Sequence, residues 1–422
     1  MKTLIYSLAL LIFFSCTETK TEEKAPNSFE FKNAYVFNGE GFEQRDFYII
    51  GQQFVAEKPD DIDSSIDLSS HYIIPPFAEA HNHNIESQRD FDAQAQVYLR
   101  KGVFYVKIPN NIAQYVKQLK PQINKPESID VVFANGGITG SGGPARTQGG
   151  GHPTQLYEML KNRGIYPSDM EMENKAYYYV DTEADLEEKW PLILEDQPDF
   201  IKTYLLYSDN KSVAKNAWQK GLDSELLSLI VTKAHERGLR VTTHVETAKD
   251  FHNAVQAGVD EINHLPGYNI PEDLDSSLFL IDESDAILAA EKGITVVTTL
   301  LYSKEVQQWS KPMEYMRAVQ MKNLKLLKEN GVKIAAGSDT HHSTVFEELL
   351  LLESLELFSP LELMKIACEN SASAVFPERK IGKLKPGYEA SFLVLKENPL
   401  DDFKNIRSIK LRYKQGGFVG VD

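Results

Sequence analysis

Apolar and polar positions change their spacing twice along this chain. From Ser28 to Leu68, short alternating stretches such as Phe29 to Phe31 and Tyr35 to Phe37 stand between turn residues like Asn38-Gly39, which predicts a small antiparallel sheet. The pattern then becomes that of helices, each followed by a short apolar run, with a glycine at the junction: Gly102, Gly238, Gly258, Gly293 and Gly331. The runs that follow, Val103 to Ile108, Leu239 to His244, Val259 to His264, Ile294 to Leu300 and Val332 to Asp339, suit parallel strands buried on both faces. Tyr72 to His81, Ile129 to Ala134 and Asp199 to Leu206 bring the number to about eight, as a closed α/β barrel needs; an open doubly wound sheet is the alternative. Ser391 to Lys396 and Ile409 to Val419 return to β character, so the two chain ends are expected to pair.

The expected architecture is therefore α/β. A (β/α)8, TIM-like barrel covers 71–377, flanked by a small discontinuous β-sandwich formed by the N- and C-terminal segments 28–70 and 378–422. At 422 residues, 42% hydrophobic and 25% charged, the chain has ordinary globular composition and enough length for both parts. With 45 Lys+Arg against 61 Asp+Glu, the net charge of -16 repels phosphate backbones and argues against nucleic acid as a partner. A small-molecule substrate is expected instead, and the sequence leaves the oligomeric state open.

The N-terminus reads as a targeting segment over 1–16: Lys2, an apolar run from Leu4 to Phe14 too short to span a bilayer, then Ser15 and Cys16. A small residue directly before that cysteine resembles a bacterial lipoprotein signal. The resemblance implies lipidation of Cys16, export, and a membrane anchor on the periplasmic or cell-surface side. Residues 17–27, rich in Thr, Glu and Lys, are expected to form a flexible tether. Cys368 is the only other cysteine, so acylation of Cys16 would leave no disulfide within the chain.

Chemistry enters through polar residues at the C-terminal ends of the expected strands, where barrels build their sites. His81-Asn82-His83 closes the first strand, and side chains two apart on a strand share a face, so both imidazoles can reach one ion. His244, His264 and Asp339 end later strands in the same way, each with an ordinary alternative: a satisfied core histidine, or for Asp339 a helix N-cap. Small residues before Asp339, Ala335 to Ser338, are expected to leave room for metal and substrate. Lys202 stands in the apolar run Asp199 to Tyr204, where a bare ammonium is costly unless its head reaches solvent.

The string Ile73-Ile74-Pro75-Pro76-Phe77-Ala78-Glu79-Ala80-His81-Asn82-His83 resembles the opening strand of the amidohydrolase superfamily, with Pro76 in place of the usual glycine. The segments Ala367 to Ala374, Ile381 to Gly387 and Ala390 to Lys396 resemble the family's ending. The resemblance implies a binuclear site holding two divalent ions and metal ligands His81, His83, Lys202, His244, His264 and Asp339; these donors suit zinc, with manganese, iron or cobalt as alternatives. It also implies that Lys202 carries a carbamate from CO2 and that Asp339 takes the proton of the attacking water.

Around these, Asn135 to His152 is glycine-rich and is expected to be a mobile loop over the site, with Arg146 and His152 as candidate substrate contacts. Tyr204, Tyr207, His341 and His342 lie next to candidate ligands and are further candidates for the pocket wall. The reading is hydrolysis of an amide bond in a small peptide-like or cyclic amide substrate. A mononuclear deaminase on the same barrel is one alternative. Deaminase relatives carry a glutamate three residues beyond the fifth-strand histidine, where Thr247 stands here, although Glu246 is adjacent. A noncatalytic binding lipoprotein is the other.

Overall fold

The structure, a computed structural model, describes residues 27–141, 143, 173–208 and 221–420. Cys16, most of the expected tether, Arg146 and His152 lie outside the described residues.

The two chain ends pair in one eight-stranded sheet. Its order is Gly417–Phe418, Ile409–Lys414, Phe392–Leu395, Tyr72–Ile74, Ser28–Phe37, Phe42–Ile50 and Gln53–Val55, with Ser64–Asp67 also pairing with Ser28–Phe37. The expectation of an antiparallel sheet is corrected to a mixed one, since Ser64–Asp67 and Tyr72–Ile74 both run parallel to Ser28–Phe37. After the Phe42–Ile50 and Gln53–Val55 strands the chain crosses over before pairing again, and a crossover restores the original direction.

Tyr72 to His81 is likewise not one strand. Tyr72–Ile74 belongs to the terminal sheet, antiparallel to Phe392–Leu395, while Phe77–Glu79 opens a separate parallel sheet. Pro75 and Pro76 separate the two, because neither has an N–H to give to a ladder.

Parallel strands make up the rest. Phe77–Glu79, Val103–Ile108 and Asp130–Phe133 form one sheet. Tyr177–Tyr179, Gly137–Thr139, Ile201–Leu205, Val241–Val245, Glu261–Asn263, Thr295–Val297 and Lys333–Ala335 form the other, in that order. The stretch after Asp130–Phe133, expected as a mobile loop, starts as a strand: Gly137–Thr139 pairs with Lys202 and Thr203. It can do so because Gly137 has no side chain; a Cβ there would meet the Tyr204 ring at 2.5 Å. At the opposite edges, Ala80 N donates to Ala336 O (3.1 Å) and Asp339 N donates to His81 O (3.0 Å), so the first and last parallel strands are joined beyond their ends.

The five junction glycines all adopt positive φ, between 68° and 78°, which reverses the chain from helix into strand without a Cβ penalty. Gly102 also lets the terminal sheet close onto the parallel strands, since a Cβ there would lie 2.6 Å from Leu393 Cδ1. Beneath, Asp130 meets Lys414 Nζ at 2.7 Å and Arg379 Nη1 at 2.8 Å. Asp130 and Lys414 are fully buried, which is tolerable because the charges are paired. Among the described residues, no helix is long and apolar enough to cross a membrane.

Candidate metal centre

Strand ends from opposite sides of the parallel set bring the histidines and Asp339 together. His81 and His83 follow Phe77–Glu79, and their Nε2 atoms lie 3.5 Å and 3.4 Å from the same oxygen, Asp339 Oδ1. Gly337 makes this possible: a Cβ on it would sit 2.7 Å from both the main-chain N and the Cβ of His81. Gly337 thus admits the His81 backbone.

Glu79 fastens the junction. Its carboxylate accepts from Ser338 N (2.7 Å), Ser338 Oγ (2.9 Å) and Val345 N (2.5 Å), and Asn82 Nδ2 donates to Ser338 Oγ at 2.6 Å. Asp339 is not the cap of the following helix; Thr344 caps Val345–Ser354. Asp339 and His264 both adopt left-handed backbone (φ 48° and 72°), a conformation that non-glycine residues hold at a cost of about 1–3 kcal/mol and that clusters at functional sites.

His244 lies within Val241–Val245 and His264 directly after Glu261–Asn263. Their rings are 4.1 Å apart, the His81 and His264 rings 4.9 Å, and His264 Nδ1 is 3.8 Å from Asp339 Oδ2. One donor atom each from His81, His264 and Asp339 lie within 4.8 Å of one another. Lys202, 1% exposed, donates from Nζ to Asn263 Oδ1 at 2.6 Å and stands 5.1 Å from the centre of the Tyr204 ring. The lysine head therefore stays inside rather than reaching solvent.

Burial sets the protonation states. It pushes His81 down to about 4 and His244 to about 3, and His264 falls well below the usual imidazole range under burial and its neighbours. These rings are neutral at pH 7 and carry free lone pairs. Burial also lowers Lys202 to about 7, against the opposing pull of Asp339 and Glu261. For Asp339, burial alone would raise the carboxyl, but His81, His83 and Lys202 hold it below the usual carboxylate range. His83 shows the opposite balance, with Glu86 outweighing burial to raise it.

Several residues of the site escape the sequence pattern. Glu86 Oε1 faces His83 Nδ1 at 2.5 Å, and the spacing His83-x-x-Glu86 was the one signal available for it. Glu246 Oε1 lies 3.0 Å from His244 Nε2 and accepts from Tyr268 Oη at 2.5 Å; the Tyr268 ring stacks on His264 with centroids 4.8 Å apart. Thr299 Oγ1 lies 2.7 Å from His264 Nδ1. Asp250 accepts main-chain N–H groups from Tyr207, Ser208, Glu246 and Thr247, tying two strand ends together. Thr247, at the deaminase glutamate position, caps the helix Ala248–Ala257.

Of the candidate substrate contacts, Tyr204 is buried with its ring 5.6 Å from His244, and Asn110 Nδ2 donates to its hydroxyl at 2.9 Å. The His341 ring lies 6.2 Å from that of His83. Tyr207 is buried beside the Asp250 carboxylate. A cavity of about 380 Å³ borders Thr340, next to Asp339, with Leu301, Leu350 and Leu351 in its lining.

The donor set suits a divalent cation: neutral imidazoles and one ionised carboxylate converge, and His81 Nδ1 is buried with no hydrogen-bond partner among the described residues.

Comparison with known proteins points the same way. A sequence model of the amidohydrolase family matches residues 207–418. The chain is 30% identical to an ochratoxinase of Aspergillus niger over 196 residues, which cover 43% of this chain and 37% of that protein. It thus spans little more than a third of the length of the curated relatives it matches. Among solved structures, a prolidase complexed with N-methylphosphonate-L-proline superposes with a TM-score of 0.71 at 19% identity, over 94% of this chain and 100% of that one. A Xaa-Pro dipeptidase with methionine in its active site gives 0.70 at 18% identity, over 93% and 99%.

Proposed function

The chain belongs to the amidohydrolase family, and from that premise we propose that it hydrolyses the amide bond of a small peptide-like or cyclic amide substrate. The observation that carries the reading is the Asp339 carboxylate, faced by His81, His83 and His264 from two other strand ends. His81, His83, Lys202, His244, His264 and Asp339 would hold two divalent ions, with zinc suited to imidazole and carboxylate donors. Bound ions would supply water whose pKa falls from about 15.7 to about 7, together with polarisation of the scissile carbonyl.

The chain's own groups do the rest. Asp339, held below the usual carboxylate range, is ionised at neutral pH, so it accepts the proton of the attacking water and returns it to the leaving nitrogen. Lys202, lowered to about 7, presents a substantial fraction of neutral amine, the form that reacts with CO2 to give a carbamate. Tyr204 and His341, with Arg146 and His152, are proposed to line the substrate's path. The fold shared with a prolidase and a Xaa-Pro dipeptidase favours a dipeptide among the candidates.

We read the parallel strands as a closed (β/α)8 barrel over 71–377, on the strength of the Ala80–Ala336 and Asp339–His81 main-chain bonds, and the terminal sheet of 28–70 and 378–422 as a sandwich folded on itself. Export and lipid anchoring through Cys16 belong to the same proposal and rest on the run Lys2 to Cys16.

The test is metal content per chain beside a screen of dipeptides, N-acyl amino acids and cyclic amides in zinc and bicarbonate. Two ions with amide cleavage support the reading. One ion with ammonia release would favour a mononuclear deaminase, for which the buried Glu246 beside His244 is the structural argument. No metal and no turnover would leave a binding protein.

A further inference from the structure

A buried polar network lies beneath the candidate metal centre, and the proposed hydrolysis uses only its last member, Lys202. Lys107 Nζ, from Val103–Ile108, donates to Glu261 Oε2 at 2.8 Å. Glu261 Oε1 accepts from Asn263 Nδ2 (2.9 Å) and from Thr242 Oγ1 (2.8 Å). Asn263 Oδ1 then accepts from Lys202 Nζ at 2.6 Å and lies 3.0 Å from Thr242 Oγ1, whose single hydrogen goes to Glu261. All five residues are buried.

This arrangement allows Asn263 a single orientation. Turned over, its NH2 would oppose the donor of Lys202, and its oxygen would oppose the Glu261 carboxylate. The Lys107–Glu261 ion pair fixes the carboxylate that fixes the amide, and the amide oxygen fixes Nζ of Lys202. Such a chain of buried, mutually satisfied groups is costly to build for packing alone, since apolar residues would fill the same space without desolvation.

We propose that Asn263 is a positioning residue for carbamylation of Lys202. It holds the one hydrogen that Nζ keeps after reaction and so aims the new carboxylate away from itself, toward the histidine cluster. The inference rests on the carbamate reading above. In the reaction the neutral amine attacks the carbon of CO2, a C–N bond forms, one C=O electron pair moves onto oxygen, and one amine proton leaves to solvent. The product nitrogen bears Cε, the carbamate carbon and one hydrogen, and resonance makes these coplanar, as in a peptide bond. Fixing the N–H against Asn263 Oδ1 therefore fixes the direction of the carbamate carbon. Without the acceptor, the group would rotate about Cε–Nζ and meet the cluster only part of the time.

The experiment compares wild type, Asn263→Leu and Asn263→Gln after equilibration with 13C-bicarbonate and zinc. It reads the carbamate carbon by NMR and zinc per chain with and without CO2. Wild type should give the carbamate signal and CO2-dependent zinc loading. Asn263→Leu should lose the signal and the CO2 dependence by about 10-fold or more, the range seen when a metal ligand loses its outer partner. Asn263→Gln, which keeps both an acceptor oxygen for Lys202 and an NH2 for Glu261, should retain the signal. A wild-type signal in Asn263→Leu overturns the inference, as does its disappearance in Asn263→Gln, the deciding variant should the leucine form not fold. Absence of any signal in wild type would instead sink the carbamate reading itself.

Discussion

Tyr268 donates its phenolic hydrogen to Glu246 Oε1 at 2.5 Å, and its oxygen lies 3.2 Å from Nε2 of His244. With the same ring stacked on His264, one tyrosine steadies two imidazoles of the candidate centre, and the carboxylate at Nε2 of His244 leaves Nδ1 to face an ion. Tyr268→Phe keeps the stack and deletes the hydroxyl. Zinc affinity, measured by competition with a chromophoric chelator, is expected to fall about 10-fold to 100-fold for one ion of the pair and little for the other. Affinity unchanged from wild type for both ions would remove Tyr268 from the centre's support.

Gly337→Ala tests the contact between the last strand end and His81. The added methyl meets His81 N and Cβ at 2.7 Å, and neither can rotate away as the end of a side chain would. A stability loss of about 1–3 kcal/mol is expected from overpacking, with weakened metal binding because His81 must shift. Chemical denaturation and zinc titration give the two readings; unchanged zinc affinity would show that His81 tolerates the displacement.

Glu348 supplies a pH signature away from the cluster. Its carboxylate accepts from Thr298 Oγ1, Leu300 N and Leu301 N, anchoring the turn after Thr295–Val297, and burial raises it to about 7 from an ordinary 4.5. A folded pKa above the unfolded one means the folded chain holds the proton more tightly. The resulting stability is complete below about pH 4.5 and is lost as pH rises through 7. Relative to Glu348→Gln, which cannot ionise, wild type is expected to lose about 2–3 kcal/mol of stability between pH 5 and pH 8. A constant difference between the two proteins across that range would contradict this.

Metal removal should act on stability as well as activity, because an ion bound only by the folded chain stabilises it in proportion to its saturation. Dialysis against a chelator is expected to cost about 4 kcal/mol relative to zinc at a thousand times its dissociation constant, and to abolish amide cleavage. Zinc and bicarbonate together should restore both. Unimpaired turnover in chelator, with no metal in the protein, would refute the proposed chemistry.

Much of the site was legible from strand ends. His81, His83, His244, His264 and Asp339 stand where apolar runs stop, and Lys202 interrupts such a run; the fold draws His81, His83, His264 and Asp339 within a few ångströms and sets the His244 ring, tilted, 4.1 Å from that of His264. Their supporting partners were not legible. Tyr268 reaches His244 across 24 residues and Thr299 reaches His264 across 35, and no local period encodes such pairs. The break at Pro75-Pro76 could have been read, since two residues without N–H groups cannot continue a ladder.

The sequence by itself determined the alternation of helix and buried strand, the glycines that turn one into the other, and which residues would stand at strand ends. All of these follow from local backbone preference and burial along a few neighbouring residues. Only the tertiary structure decided that the terminal sheet is mixed and that Gly337 yields its space to the His81 main chain. It alone decided, too, that Asn263 rather than solvent receives the Lys202 amine. Those outcomes depend on groups far apart in the chain competing for the same buried volume and the same hydrogen-bond acceptors, and that competition is settled only when the strands come together.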